Sequence, residues 1–420
     1  MPNSTPAAIA VPLDGAAPVI HWNEAGVACS ARWRSERAAA PPRRVVVADD
    51  SMTADAAYRL ACEGTALLWR GDFHNARQLL QALARRVDRT PARKQRRRAG
   101  GEPVVAISPV DQFNQYRQAQ AQRARVLGML LLPFDADYGV PLRRAPDTRP
   151  ACAQAWGPPD AAAGASEASM RELLGVTSAF QWRKKGVEID ALGAPPDNRI
   201  HPHYGVFSPV RGEYVGLVAQ APLPVTGQGE FVAFDIGTGS GVLAAVLARR
   251  HGARVVATDQ DPRALACAHD NITRLGLADR VQVVAADLFP PGRASLVVCN
   301  PPWLPARPGS PIERAVYDED SRMLTGFLAG LSAHLVPGGQ GWLILSDLAE
   351  HLGLRTRAEL LAAFERNGLQ VLGRIDARPS HPKALDASDP LHYARAAEST
   401  SLWRLGVIVD NPHRAGGVAD

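Results

Sequence analysis

The sequence has 420 residues, 46% hydrophobic, with a net charge of +5 at neutral pH, enough for a large core and for two domains. No apolar run approaches the ~20 residues that cross a bilayer, and "AAIAVPL" near the start lacks a basic leader and is broken by Pro12, which points to the cytoplasm. Five cysteines, scattered singly with no CxxC pair, argue against a disulfide framework and a structural zinc site, and the mild positive excess carries little weight by itself.

Residues 1–43 are rich in Ala, Pro and small polar residues without sustained period and read as a disordered arm. From "RVVVADDSMTADAAYRLA" the pattern changes to a β-branched run followed by a helical stretch. "TALLWRGDFHNARQLLQALARRV" repeats it, with Asp72 or Asn75 placed to cap a helix. Residues 44–150 therefore read as a small α/β or mainly helical accessory domain. It contains eight Lys or Arg between Arg85 and Arg98, either a solvated helix end or a phosphate-contacting arm. The Ala/Pro/Gly stretch within 151–168 reads as a linker, 169–225 as a lead-in segment, 226–410 as the main domain and 411–420 as a tail.

The main domain alternates apolar runs with helical periods from "EFVAFDIGTGSGVLAAVLARRHGARVVATDQD" onward, the signature of parallel βαβ units. Gly252 suits a left-handed helix cap. Further strands follow at "VQVVAAD", "SLVVCN", "GWLILSD", "LQVLGRI" and "SLWRLGVIV", making a doubly wound sheet whose ligands sit at the C-terminal strand ends. "DIGTGSG" opens a helix after a strand, and its glycines permit a tight turn and close backbone approach to a ligand. Its glycines alternate, unlike the GxGxxG of dinucleotide sites. Three successive strands end in Asp235, Asp259 and Asp287, a more specific set than the glycines alone.

With these motifs in this order, the chain resembles the class I S-adenosylmethionine-dependent methyltransferases over roughly residues 200–409. The resemblance implies a Rossmann-like α/β sheet with an antiparallel last strand. It also implies S-adenosyl-L-methionine cradled by Asp235, Gly237, Thr238, Gly239 and Gly241, with Asp259 on the ribose hydroxyls and Asp287 and Leu288 at the adenine. Phe207, in "HYGVFSPVRGEYVGLV", is the candidate to pack against the cofactor, and Asn300 borders it.

"VVCNPPW" matches the family's fourth motif, with Asn300, Pro301, Pro302 and Trp303 as catalytic candidates. The lone pair of a planar NH2 group is conjugated and poorly nucleophilic. Asn300 Oδ1 and the Pro301 carbonyl can accept its two N–H bonds while an aromatic fixes its plane, and no metal is needed. Trp where the family more often has Tyr or Phe keeps the stacking surface and loses a phenol.

Within the group of small-domain methyltransferases, the resemblance extends to ribosomal RNA N-methyltransferases and to release-factor glutamine methyltransferases. Several ribosomal RNA members carry a degenerate copy of the fold at the N-terminus, which makes the first 150 residues, with no surviving glycine turn, a candidate remnant, and the basic segment there favours RNA or a ribosomal particle as partner. A release factor or other protein, a small molecule, and a non-catalytic scaffold are the alternatives. "LPARPGSPIERAVYDEDSR" and "DARPSHPKALDASDPLHYARAAEST" are expected to border the substrate pocket, while His201 and His203 read as loop residues, not metal ligands.

Overall fold

The apolar runs become hydrogen-bonded strands in the computed structural model, which describes residues 18–98, 107–227, 229–309, 311–379 and 386–408. Two compact units result, one of Met1–Ala106 with Arg117–Gln181 and one of Ile107–Tyr116 with Trp182–Asp420.

The first unit contains the strands β1 (Val19–Glu24), β2 (Val27–Arg34), β3 (Arg44–Ala48), β4 (Thr65–Trp69), β5 (Leu130–Phe134) and β6 (Ser166–Ser169). They form one sheet of order β1-β2-β6-β5-β4-β3. The helices α1 (Ala54–Cys62) and α2 (Phe73–Arg98) follow β3 and β4, α3 (Pro109–Leu127) precedes β5, and α4 (Arg149–Trp156) and α5 (Met170–Lys185) flank β6. Asp72 stands just before α2 and accepts from the His74 amide at 2.9 Å. Strands β3, β4 and β5 are parallel and β6 is antiparallel to β5.

Two expectations are corrected here. Residues 18–43, read as part of a disordered arm, hold the β1–β2 hairpin, and Ala25 and Gly26 at its tip have φ of 51° and 85°. Both central residues of a tight two-residue hairpin turn need positive φ, and Ala in place of Asn hides the signal. Residues 151–168, read as a linker, hold most of α4 and the start of β6. Ser166, Glu167 and Ala168 of β6 are buried between β2 and β5. A strand of small and polar residues leaves no apolar pattern to find.

Burial raises the carboxyls of Glu167 and Glu172 from 4.5 to about 7 each. Between those limits the folded chain binds protons that the unfolded chain has released, so stability is greatest near the lower limit and falls as pH rises through the upper one. Glu24, beside Arg70, and Asp72, beside Arg144, are held at about 2 and titrate below this window. Thermal melts at about pH 5 and about pH 8 should show this loss, and a Glu167→Gln/Glu172→Gln variant should be less sensitive than the wild type, the remainder coming from groups such as Asp235, whose carboxyl burial also raises. An unchanged pH dependence in the variant would contradict the assignment.

In the second unit, a two-residue pairing of β7 (Val187–Glu188) with β8 (Arg199–Ile200) and helix α6 (Glu213–Gln220) lead into the main sheet. The chain then runs β9 (Val232–Ile236), α7 (Val242–His251), β10 (Arg254–Asp259), α8 (Pro262–Arg274), β11 (Val281–Ala285) and β12 (Ala294–Cys299). It continues with α9 (Arg322–Leu331), β13 (Leu335–Ser346), α10 (Leu348–His351), α11 (Arg357–Arg366), β14 (Leu369–Ala377), α12 (His392–Ala397) and β15 (Thr400–Val407). The strand order is β11-β10-β9-β12-β13-β15-β14, with β15 antiparallel to both its neighbours. Gly252, at φ 61°, provides the left-handed C-cap of α7.

Alternate residues of each central strand enter different cores. Ala233, Leu296, Val298, Trp342 and Ile344 join α6 and α7 on one face, whereas Phe234, Ile236, Val297, Cys299 and Leu343 join α9 and α11 on the other. A parallel sheet covered on both faces needs such continuous apolar runs. The chain winds outward from β9 through β10 to β11, then returns to β12 on the other side of β9. Strand connections part at that point, which opens a crevice at the C-terminal ends of β9 and β12. Among the described residues no helix is long and apolar enough to cross a membrane.

Candidate active site

Register brings the candidate residues to one edge of the sheet. Asp235 pairs with Ala257 on β10 and Val298 on β12, so the glycine turn, Asp259 and Asn300 all emerge beside the crevice. Asp235 is 1% exposed, and its Oδ2 accepts from the Thr238 hydroxyl at 2.6 Å and the Ala244 amide at 3.0 Å. Burial raises its carboxyl to about 6. Asp235 and Thr238 thus brace the turn from inside.

Gly237, Gly239 and Gly241 have φ of 71°, 54° and 81°, in the left-handed region that favours glycine. A Cβ on Gly239 would meet nothing within 4 Å, so its backbone faces open space on the crevice side of the turn. A Cβ on Gly241 would lie 3.2 Å from Ala268 Cα, because α7 and α8 close there. Gly241→Ala should therefore cost about 1–2 kcal/mol for the backbone alone, read as a lowered denaturation midpoint. An unchanged midpoint would mean that the turn relaxes freely.

Asp259, half-buried at the end of β10, accepts from the Gly239 amide through Oδ2 and the Asp261 amide through Oδ1, each at 3.0 Å. Burial raises its carboxyl. Each carboxylate oxygen retains acceptor capacity for a ligand hydroxyl. Asp287 is exposed and ion-paired with Arg322 at 3.1 Å. Leu288 beside it adopts φ 71°, and its carbonyl accepts from the Thr258 hydroxyl at 2.6 Å. Phe207 is 38% exposed, an aromatic available to a ligand.

Sequence reasoning missed the residue that ties these parts together. Asn271, buried on α8, accepts from the His201 amide at 2.8 Å and donates to the Ser240 carbonyl at 3.0 Å. It joins the lead-in segment to the glycine turn. An isolated Asn inside a helical period gives no warning of this. His201 Nδ1 lies 2.6 Å from the Arg183 carbonyl and His203 Nε2 lies 2.9 Å from Asp270 Oδ2, so both rings have protein partners.

Asn300, Pro301, Pro302 and Trp303 follow β12 directly. The Trp303 indole N–H donates to Asn300 Oδ1 at 2.8 Å, which fixes the carboxamide with its oxygen toward the indole and leaves that oxygen one further lone pair. One face of the indole carries the Arg211 guanidinium, 5.0 Å from the ring centroid. After the motif, Leu304 bridges to Tyr317 and its carbonyl accepts from the Asp318 amide at 2.9 Å, closing the first loop expected to border the pocket. In the second such loop, residues 380–385 lie outside the described residues.

The neighbouring C-terminal ends of β9, β10 and β12 thus carry a turn of left-handed glycines, a carboxylate with spare acceptor capacity, and two further acceptors in sequence, Asn300 Oδ1 and the Pro301 carbonyl. They can hold a small molecule with a diol and present an NH2 group to it.

Residues 197–366 match the family model described as the methyltransferase small domain. A release factor glutamine methyltransferase of Moorella thermoacetica is 43% identical over 117 residues, 26% of this chain and 41% of that protein. A ribosomal protein L11 methyltransferase of Pelotomaculum thermopropionicum is 52% identical over 69 residues, 16% of this chain and 22% of that protein. A tRNA1(Val) (adenine(37)-N6)-methyltransferase of Shewanella loihica is 30% identical over 187 residues, 42% of this chain and 72% of that protein. The chain thus spans less than half the length of the first two relatives and nearly three quarters of the third.

Proposed function

We propose that this chain, which belongs to the class I S-adenosylmethionine-dependent methyltransferases, transfers a methyl group to a planar NH2 nitrogen, with an exocyclic amine of an RNA base as the favoured acceptor. The observation that carries the proposal is the pair of acceptors at the end of β12. Asn300 Oδ1 has one lone pair engaged by Trp303 and one free, and the Pro301 carbonyl stands beside it in the chain. Two acceptors match the two N–H bonds of a primary amine or amide.

S-adenosylmethionine supplies an electrophilic methyl carbon on a sulfonium whose leaving group is a neutral thioether. The chain's own residues do the positioning. The Gly237–Gly241 backbone, braced by Asp235 and Thr238, takes the methionyl portion; Asp259 takes the ribose hydroxyls; Asp287, Leu288 and Phe207 flank the adenine. Asp287 exchanges its Arg322 partner for the adenine amine. Asn300 and Pro301 draw on the N–H bonds so that the nitrogen lone pair turns toward the methyl carbon. The new N–C bond forms as the S–C bond breaks, and the surplus proton on nitrogen passes to water. Pro302 keeps the turn rigid, since proline fixes φ and offers no competing N–H.

Two features support RNA. The basic run continues to the end of α2 at Arg98, although its side chains beyond Arg89 lie outside the described residues. Of the three relatives described above, the one of which this chain spans nearly three quarters is named for an adenine amine of tRNA. The glutamine amide is the second reading, supported by the 43% identity to a release factor methyltransferase.

Replacing Arg93, Lys94, Arg96 and Arg97 with Gln tests the choice. RNA binding should weaken, and its log–log salt slope should flatten by about 0.7–0.9 per lost phosphate contact. Cofactor binding should not move. Equal, weak RNA binding by both proteins would turn the assignment to the protein amide.

A further inference from the structure

We propose that Arg211 is a positioning residue for Trp303 and, through its indole N–H, for the acceptor oxygen of Asn300; this rests on the reading of Asn300 as the group that receives the substrate N–H. Arg211 is gripped from two sides. Its Nε donates to Glu213 Oε1 and its Nη2 to Glu398 Oε1, both at 3.0 Å. The Glu213 side chain is 7% exposed and that of Glu398 is wholly buried. Glu398 Oε1 also accepts from the Ser346 hydroxyl at 2.7 Å, and Ser346 in turn accepts from the Leu348 amide at 3.0 Å.

The guanidinium is therefore held by α6 and by the junction between α12 and β15, and the end of β13 braces the second of these through Ser346. Its central carbon lies over one face of Trp303, 5.0 Å from the ring centroid. A cation over an indole face is attracted by the ring quadrupole, more strongly when both are shielded from water. With that face covered, an acceptor that stacks on the indole must use the opposite face. The same contact sets where Nε1–H points, and Nε1–H sets which lone pair of Asn300 Oδ1 is free.

Removing the guanidinium outright would strand the buried Glu398, so Arg211→Lys is the informative variant: it keeps the charge and loses the planar stack. The protein has eight tryptophans, and in a nitrogen-15 spectrum the indole signal lost in Trp303→Phe identifies that of Trp303. In Arg211→Lys this signal should shift, and its exchange with water should quicken by about tenfold as the bond to Asn300 weakens. Melting temperature and affinity for S-adenosylhomocysteine should hold. An unmoved Trp303 signal overturns the inference.

A double-mutant cycle provides the second arm, using tritiated methyl transfer from S-adenosylmethionine into total RNA and soluble protein of cells lacking this chain. Arg211→Lys should slow incorporation about tenfold in the wild-type background and add little loss in Trp303→Phe, because it acts through that ring. Equal losses in both backgrounds overturn the inference. A wild type that labels neither fraction overturns the proposed function, and the indole signal still decides the role of Arg211.

Discussion

Asn300→Ala is expected to lower methyl transfer on the order of 10²-fold or more, with cofactor affinity and melting temperature little changed. The carboxamide oxygen is half of the acceptor pair, and its contribution grows as the nitrogen leaves planarity, so its loss falls on the chemical step. Pro301 and Pro302 hold the turn without it. The mutation also releases the Trp303 N–H, so a part of the loss reflects a loosened indole. Asn300→Asp keeps an oxygen acceptor in place and should retain more activity than Asn300→Ala. Single-turnover rates at saturating cofactor separate the two variants. Equal activity of Asn300→Ala and wild type would place activation of the nucleophile elsewhere.

The second large effect lies in the proposed cofactor site. Asp259→Ala should weaken S-adenosylhomocysteine binding by roughly 1–3 kcal/mol, or up to about a hundredfold, through loss of hydrogen bonds to a charged acceptor. Asp259 also restrains the turn through the Gly239 amide. Asp259→Asn retains one carbonyl oxygen for Gly239 and should lose less. Calorimetric titration of the three proteins orders them as wild type, Asn, Ala. Binding that is indifferent to Asp259 would contradict its place at the ribose.

The parts of the site that are contiguous in sequence were legible there. An apolar strand, a glycine turn and a helix leave a pattern in twenty letters, and "VVCNPPW" does so in seven. The strands themselves followed, because parallel strands buried on both faces must be apolar throughout, whereas their order in the sheet came from the fold. What was not legible depends on contacts across long separations. Glu398 reaches Arg211 over 187 positions, and nothing around either residue announces the other. Asn271 reaches Ser240 over 31. The polar strand β6 was hidden for a different reason: Glu167 is buried by its neighbours in the sheet and not by its own hydrophobicity. Motifs carried by a loop were thus visible in the sequence, and the supports beneath them needed the fold.

The central claim is methylation of a planar NH2 group held by Asn300 and Pro301. The measurement closest to it is mass spectrometry of nucleosides and peptides recovered after incubating RNA and protein fractions with the wild type and S-adenosylmethionine. The account predicts a single added methyl on an exocyclic amine of a base, absent with Asn300→Ala. A methyl on a ring nitrogen, a ribose oxygen or a carbon atom would contradict it.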